Sequence, residues 1–359
     1  MTSALALAAQ GPQAASAPLS ILIVTDAWAP QVNGVVRTLE MLGRELTALG
    51  HEVRYATPQG RFSIPLPTYP EIRLAIFPRR GLETIFRDFA PEAVHIATEG
   101  TMGMSARAIC IKHAIAFTTS YHTRFPEYVR ARFPFVPEGV VYRWLRWFHK
   151  PAASVMVATP SLKAELARHG FRNLRIWSRG VDTGTFRRIE EASLPFPKPI
   201  WLFVGRVAVE KNIEAFLELD LPGSKVIVGE GPARAALSRK YPEAHFLGPR
   251  TGEDLVRVYS ASDVFVFPSK TDTFGLVMLE ALACGLGVAA FPVPTARDVL
   301  SGAPGAALDA DLRAACLKAL ELSHESRGTN ASPRSFALEH SWGVCARQFL
   351  SNLAPETAE

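Results

Sequence analysis

The chain has 359 residues, 48% of them hydrophobic and 20% charged, with a formal net charge of +5. That length allows about two domains at roughly 100–200 residues each, and the apolar share excludes a chain disordered throughout, a collagen-like repeat or a disulfide scaffold. Charge is uneven: residues 1–180 carry 21 Lys/Arg against 12 Asp/Glu, and the remainder 18 against 22, so the first half suits an anionic partner.

The opening stretch, MTSALALAAQGPQAASAPLS, is Ala-rich without a basic n-region. It reads as a disordered lead over 1–18 rather than a signal peptide, and the expected location is cytoplasmic. No apolar run approaches the ~18–20 residues of a membrane span. Cys110, Cys284, Cys316 and Cys345 show neither CxxC nor zinc spacing. They read as small buried hydrophobes in a reducing compartment.

SILIVT (20–25) then reads as a buried strand, and GVVRTLEMLGRELTALG places Val35, Leu39, Leu42, Leu46 and Leu49 at helical spacing with Gly50 as the stop. EVRYAT, RLAIF, AVHIA, FTTSYH, SVMVAT and LRIWS follow as strands, mostly separated by helical stretches, which is the pattern of a parallel doubly wound sheet. Periodicity lapses over 183–199, rich in charge and proline, and this stretch reads as a linker. It restarts with WLFVGR, KVIVGE, AHFLG, DVFVFPS and VAAFPV, each followed by a helix. The fold class is therefore α/β, with one Rossmann-like domain over 19–182 and a second over 200–340. A cleft at the carboxyl ends of the strands is the expected ligand site. The amphipathic stretch within 341–359 has no strand after it and is expected to pack back toward the first domain.

Among motifs, the loop after the first strand lacks GxGxxG, and Gly229-Glu230-Gly231-Pro232-Ala233-Arg234 has Arg where the third glycine should be. Asp309-Ala310-Asp311 could suggest a metal, but it precedes a helix; Asp309 reads as its cap and Asp311 as a charge favouring its positive end. No metal site is expected. The strongest constellation runs from Pro268 to Gly285. A strand ends, a polar loop follows, and a helix opens near Phe274 or Gly275, where free amides and the helix dipole suit a diphosphate. Asp272 and Glu280 lie on the order of 12 Å apart at helical rise, the spread of a nucleotide sugar.

This segment resembles the Glu-x₇-Glu motif of retaining glycosyltransferases of family 4, whose GT-B architecture has two facing Rossmann-like domains with a cleft between them. Phe203-Val204-Gly205-Arg206 and Glu210-Lys211-Asn212 are similar to the family's strand–Gly-Arg–x–Lys segment. The resemblance runs from about residue 20 to 350. It implies a nucleoside-diphosphate sugar as donor, no cofactor or metal, and bacterial GDP-mannose-dependent mannosyltransferases among the nearest kin. Arg206, Lys211 and the helix start at Phe274, Gly275, Leu276 and Val277 would hold the diphosphate, with Gly34 beside it in the first domain. Asp272 would hold sugar hydroxyls, Glu280 the ribose, and His122 the transferring sugar. Glu99, Tyr121 and Arg179 would line the acceptor side of the cleft. Asp272 stands where the family more often has Glu, which leaves the sugar open. UDP-hexoses as donors, a 2-epimerase and a non-catalytic nucleotide-sugar binder also remain open.

Residues 124–150 interleave six Lys/Arg with eight aromatics. After Pro137 a helix would align Val140, Trp144, Trp147 and Phe148, with Val141 and Leu145 adjoining. Two readings stand: an anionic membrane surface, fitting a lipid or glycan acceptor at the inner face of the cell membrane, or packing into the first domain's core. Nucleic acid is not expected.

Overall fold

The computed structural model describes residues 17–29, 31, 33–66, 69–124, 126, 129, 135–326 and 331–353. Most of the expected disordered lead, and residues 125, 127, 128 and 130–134 of the basic–aromatic stretch, lie outside them. The chain divides into two compact units, one built from residues up to Ser178 together with the C-terminal segment from Trp342, the other from Arg179–Ser341. Among the described residues no helix is long and apolar enough to cross a membrane.

The first unit contains β1 (Ser20–Val24), β2 (Glu52–Ala56), β3 (Ser63–Leu66), β4 (Tyr69–Ala75), β5 (Ala93–Ile96), β6 (Thr118–Tyr121), β7 (Val155–Val157) and β8 (Leu174–Ile176). Its helices are α1 (Gly34–Ala48), α2 (Arg79–Phe89), α3 (Thr101–Lys112), α4 (Glu138–His149) and α5 (Pro160–Arg168). Six strands form a parallel sheet in the order β2-β1-β5-β6-β7-β8. Ile21, Leu22, Ile23 and Val24 are fully buried, as a strand covered on both faces requires. Asn33 opens α1 by accepting from the amides of Val35 and Val36, and Leu39, Leu42 and Leu46 face the sheet.

RLAIF departs from its expected place. Its first three residues end β4, which pairs antiparallel with β3 as a two-stranded hairpin apart from the main sheet. The reason is the connection length: a parallel neighbour needs a crossover of a dozen or more residues, and β3 and β4 follow one another too closely for one.

The C-terminal helix (Trp342–Leu353) belongs to this unit. Trp177 Nε1 donates to the Cys345 carbonyl at 3.2 Å, Asn352 Nδ2 to the Ile176 carbonyl at 2.8 Å, and Ser154 Oγ to the Asn352 carbonyl at 2.9 Å. Phe349 is fully buried, with its ring edge-on to His95 at 4.9 Å.

The second unit repeats the architecture with β9 (Ile200–Val204), β10 (Ser224–Val228), β11 (His245–Gly248), β12 (Val264–Phe267), β13 (Gly287–Ala290) and β14 (Ala306–Leu308). All are parallel in the order β11-β10-β9-β12-β13-β14. Three-residue β14, made of Ala and Leu, carries too little pattern to be read from sequence. The helices are α6 (Glu214–Leu217), α7 (Arg234–Lys240), α8 (Gly252–Ala261), α9 (Leu276–Ala283), α10 (Pro294–Leu300), α11 (Leu312–Ser326) and α12 (Pro333–Leu338). Residues 183–199 run over this unit. Phe186 is buried against Tyr259, the Ile189 amide donates to Ser260 Oγ at 3.0 Å, and Arg334 binds the carbonyls of Thr183 and Phe186. At α11 the two aspartates exchange their expected roles: Asp311 accepts from the Arg313 amide as the cap, while Asp309 accepts one step earlier, from the Asp311 amide. Burial pushes the thiols of Cys110, Cys284 and Cys316 up to about 12, which makes them inert at neutral pH.

At the carboxyl ends of β1 and β5 a buried carboxylate joins the two loops. Asp26 accepts from Thr98 Oγ1 at 2.9 Å and from the amides of Met102 and Gly103 at the start of α3, at 2.9 and 3.3 Å. The Asp26 amide in turn donates to Thr98 Oγ1 at 2.7 Å. Burial raises the Asp26 carboxyl above its ordinary value, although these hydrogen bonds pull it down. A raised carboxyl stabilises the fold fully below its unfolded value and loses that contribution as pH rises through the folded one. Melting temperatures of the wild type and Asp26→Asn, compared from about pH 4 to about pH 7, should therefore show the wild-type advantage shrinking as pH rises. An advantage that grows instead would show that the hydrogen bonds outweigh burial.

Candidate active site

In a doubly wound sheet, ligands bind outside the carboxyl ends of the strands where the strand order reverses. In the second unit that point lies between β9 and β12. The loop after β9 carries Gly205-Arg206 and closes in a short 3₁₀ turn, Val209–Lys211. The loop after β12 runs from Pro268 to Gly275.

Side chains tie these loops together. Lys211 Nζ donates to Asp272 Oδ1, with only 21% and 16% of the two side chains exposed. Asn212, in the left-handed region at φ 52°, sends Nδ2 to the Pro268 carbonyl at 3.1 Å, and Thr271 Oγ1 donates to the Glu210 carbonyl at 3.1 Å. Thr295 Oγ1, at the start of α10, donates to the Asp272 carbonyl at 2.7 Å. Asp272 Oδ2 is buried and has no hydrogen-bond partner among the described residues. Asn212 and Thr271 stood inside the segments read from sequence without a role of their own, and Thr295 was not singled out. Asn after a turn is the one signal that could have marked its left-handed conformation.

Gly275 precedes α9 at φ 79°, and no side chain caps that helix, whose first residues Leu276 and Val277 are half-buried. Phe274 is buried, as is Glu280, whose Oε2 accepts from the Tyr259 hydroxyl at 3.2 Å. Arg206 is half-buried. The second unit thus brings Arg206, Lys211, Asp272, Phe274, Gly275, Leu276, Val277 and Glu280 to one sheet edge. Uncapped amides at a helix start with cations beside them form a site for a multiply charged anion, and a carboxylate oxygen with spare accepting capacity suits a hydroxyl. The Gly229-Glu230-Gly231 run has a different use. A Cβ at Gly229 or Gly231 would strike the carbonyl oxygen of Gly205 or Val207, so glycine here lets the neighbouring loops approach.

In the first unit His122 follows β6, nearly buried, with its ring edge-on to Trp177 at 5.8 Å. Glu99 follows β5 and is committed internally: its Oε1 lies 3.2 Å from His149 Nε2, and His149 Nδ1 lies 2.8 Å from Thr119 Oγ1. Tyr121, expected at the acceptor side, is buried at the end of β6 against Phe171 and His149. Arg179 is buried at the start of the second unit, and Gly34 is the exposed first residue of α1.

Helix α4 resolves the basic–aromatic stretch in part. Tyr142, Leu145, Phe148 and His149 are buried, whereas Val140, Trp144 and Trp147 are 44%, 40% and 47% exposed. Phe148 therefore parts from the stripe it was expected to share, facing the core while Val140, Trp144 and Trp147 face outward. Trp147 lies under the Arg107 guanidinium at 4.1 Å.

Gly275→Ala tests the loop geometry. A Cβ there would lie 2.8 Å from Phe267 Cζ and 2.9 Å from Met278 Cε, at a φ that L-residues rarely adopt. The expected loss is on the order of 1–3 kcal/mol, read as a lower denaturant midpoint. An unchanged midpoint would contradict the left-handed assignment.

The family described as Glycosyltransferase Family 4 matches residues 32–185, and that described as Glycosyl transferases group 1 matches residues 198–323. The chain is 29% identical over 310 residues to the sulfoquinovosyl transferase SQD2 of Arabidopsis thaliana, covering 78% of this chain and 61% of that one, so it spans less than two thirds of that relative. It is 27% identical over 365 residues to the GDP-mannose-dependent alpha-mannosyltransferase of Mycolicibacterium smegmatis, covering 93% and 96%. The solved sucrose-phosphate synthase from Thermosynechococcus elongatus shares the fold with a TM-score of 0.76 at 22% identity, covering 93% of this chain and 98% of that one. Two matched families spanning most of the chain, on two Rossmann-like sheets, make it a glycosyltransferase of the two-domain GT-B kind, with a Family 4 first half and a group 1 second half, and a retaining hexosyl transfer fits that membership.

Proposed function

We propose that the chain moves a hexose from a nucleoside-diphosphate sugar, with GDP-mannose as the donor, to a membrane glycolipid or lipid precursor, with retention at the anomeric carbon. The observation that carries this reading is the pairing at Asp272: one oxygen is held by Lys211, and the other is buried with no partner among the described residues. A sugar hydroxyl would satisfy that second oxygen, which otherwise bears the cost of an unmade hydrogen bond. Lys211, held beside it, is then within reach of the diphosphate attached to the same sugar. The GDP-mannose preference rests on the kinship with mannosyltransferases.

In this mechanism Arg206, Lys211 and the amides opening α9 stabilise the diphosphate as the C1–O bond breaks and its charge grows. The acceptor hydroxyl forms the new bond to C1 on the same face, and its proton passes to the departing phosphate oxygen. Glu280, oriented by Tyr259, takes the ribose hydroxyls. The chain's own cations carry the diphosphate, so the reading includes no metal and no cofactor.

A panel of GDP-, UDP- and ADP-sugars with a bacterial lipid extract, in the presence of EDTA, tests this directly. Glycolipid product from GDP-mannose should appear, and Asp272→Ala should lower it by roughly 10²-fold or more. Product from UDP-hexoses alone would change the donor, interconversion of the donor without acceptor would indicate an epimerase, and binding without turnover would indicate a non-catalytic binder.

The exposed face of α4 supports the membrane part of the reading. Val140, Trp144 and Trp147 stand outward, and Arg143, Arg146 and Lys150 share the helix and its end. This face suits an anionic bilayer interface, where aromatic rings sit at headgroup depth and each basic residue adds about 1 kcal/mol. Trp144→Ser with Trp147→Ser should weaken binding to anionic vesicles by roughly tenfold or more, from the apolar area lost. Vesicle binding at wild-type strength would remove α4 as the contact.

A further inference from the structure

A cavity of about 280 Å³ opens in the first unit at the carboxyl edge of its sheet, lined in part by the loop after β1. Trp28 and Gln31, after β1, and Arg61, after β2, form part of its wall, and Ser63 and Arg73 of the β3–β4 hairpin form another part. This is again the edge at which doubly wound sheets bind ligands.

Both arginines line the cavity, each anchored by part of its guanidinium. Arg61 Nε donates to the Thr57 carbonyl at 3.2 Å. Arg73 donates through Nε to Ser63 Oγ at 2.8 Å and through Nη2 to the Ser63 carbonyl at 2.6 Å. Among the described residues no carboxylate pairs with either. Arg61 also lies against the first turn of α2, in the space that Gly81 leaves by lacking a Cβ. A cation at the positive end of a helix is electrostatically unfavourable unless an anion joins it. Asp26 is the one acid in the lining, and it is already committed to Thr98 and the start of α3. The pocket is therefore positive, and its donors are preorganised.

One aromatic ring, Trp28, completes the lining and is held from behind. The Trp28 indole packs on the Tyr55 ring with centroids 4.4 Å apart, and the Tyr55 hydroxyl is fixed to the Leu39 carbonyl at 2.6 Å. Such a face suits the carbon skeleton of a polyol, while two guanidinium forks suit the oxygens of a phosphate.

We propose that this pocket is an acceptor subsite, in which Arg61 and Arg73 bind a phosphate ester on the acceptor and Trp28 covers its alcohol. This rests on the transferase reading above and names its acceptor class: a hydroxyl-bearing phosphate ester, either a lipid headgroup or a soluble ester.

Calorimetric titration of the full chain without donor tests the pocket apart from turnover. The probes are monomeric dihexanoyl phosphatidylglycerol, sn-glycerol 3-phosphate, inorganic phosphate, dihexanoylglycerol and glycerol. The wild type should bind the two phosphate esters and not the two uncharged compounds, and Arg61→Gln or Arg73→Gln should each weaken ester binding at least tenfold. Tighter binding of the lipid ester supports a headgroup as the source, and equal binding supports a soluble ester. A parallel titration with GDP reads the other unit. It reports that the variants are folded, and its failure in the wild type would count against the donor reading while leaving the pocket standing. The proposal is overturned if the wild type binds neither ester, if the variants bind the esters as the wild type does, or if inorganic phosphate binds as tightly as the esters.

Discussion

Each sheet has one place where consecutive strands turn to opposite sides, and there two loops leave neighbouring strands with no backbone ladder to hold them together. In the second unit Lys211 and Asp272 bridge that gap, between the loops after β9 and β12. Asn212 and Thr271 reinforce the join by spending side-chain donors on the opposite loop's carbonyls. The first unit meets the same requirement with one carboxylate. Asp26, after β1, gathers Thr98 and the opening amides of α3, after β5. Without such ties, loops at this edge would be the least stable part of the fold, as surface connections with few buried contacts generally are.

The two ties differ in chemistry, and the difference matters for a site. Asp26 is buried and saturated, so it is a structural group. Asp272 keeps one oxygen unmatched among the described residues and is paired to a flexible ammonium whose charge a phosphate could share. Removing one member of a largely desolvated pair leaves the other uncompensated. A ligand that engages both members keeps each compensated. The uncapped start of α9 lies on the same loop as Asp272, so charge stabilisation and hydroxyl recognition come from one stretch of chain.

This division explains what could be read in advance. Strand runs such as SILIVT and DVFVFPS are apolar on both faces, a pattern few structures other than covered parallel strands require, so the alternation of both sheets was legible. So was the helix start after β12, because strand, polar loop and glycine occur in order. Hairpin β3–β4 was not. Its second strand carries the same apolar residues as a core strand, and only the short connection betrays the antiparallel partner. Tyr121 shows the limit for site residues: β6 is buried on both faces, so a motif match at its end does not say how far a side chain is covered. Glu99 shows another. Its partner His149 is 50 residues away, so its commitment to a buried pair had no local signature.

The basic excess of the first half resolves in the same way. It is not one patch. Arg124 is spent on Glu165, Arg146 on the His169 carbonyl, and Arg107 on the carbonyls of Trp147 and Phe148 at the end of α4, where a cation complements the helix dipole. Arg61 and Arg73 are likewise fixed by backbone carbonyls without being neutralised, and they differ in lining a cavity. A carbonyl fixes a guanidinium's direction but leaves its formal charge for the next ligand, whereas a carboxylate cancels it. Net charge alone would have assigned all five arginines to the same partner. Sorting them by what each already binds sets Arg124 aside, and of the four held by carbonyls Arg61 and Arg73 share a cavity.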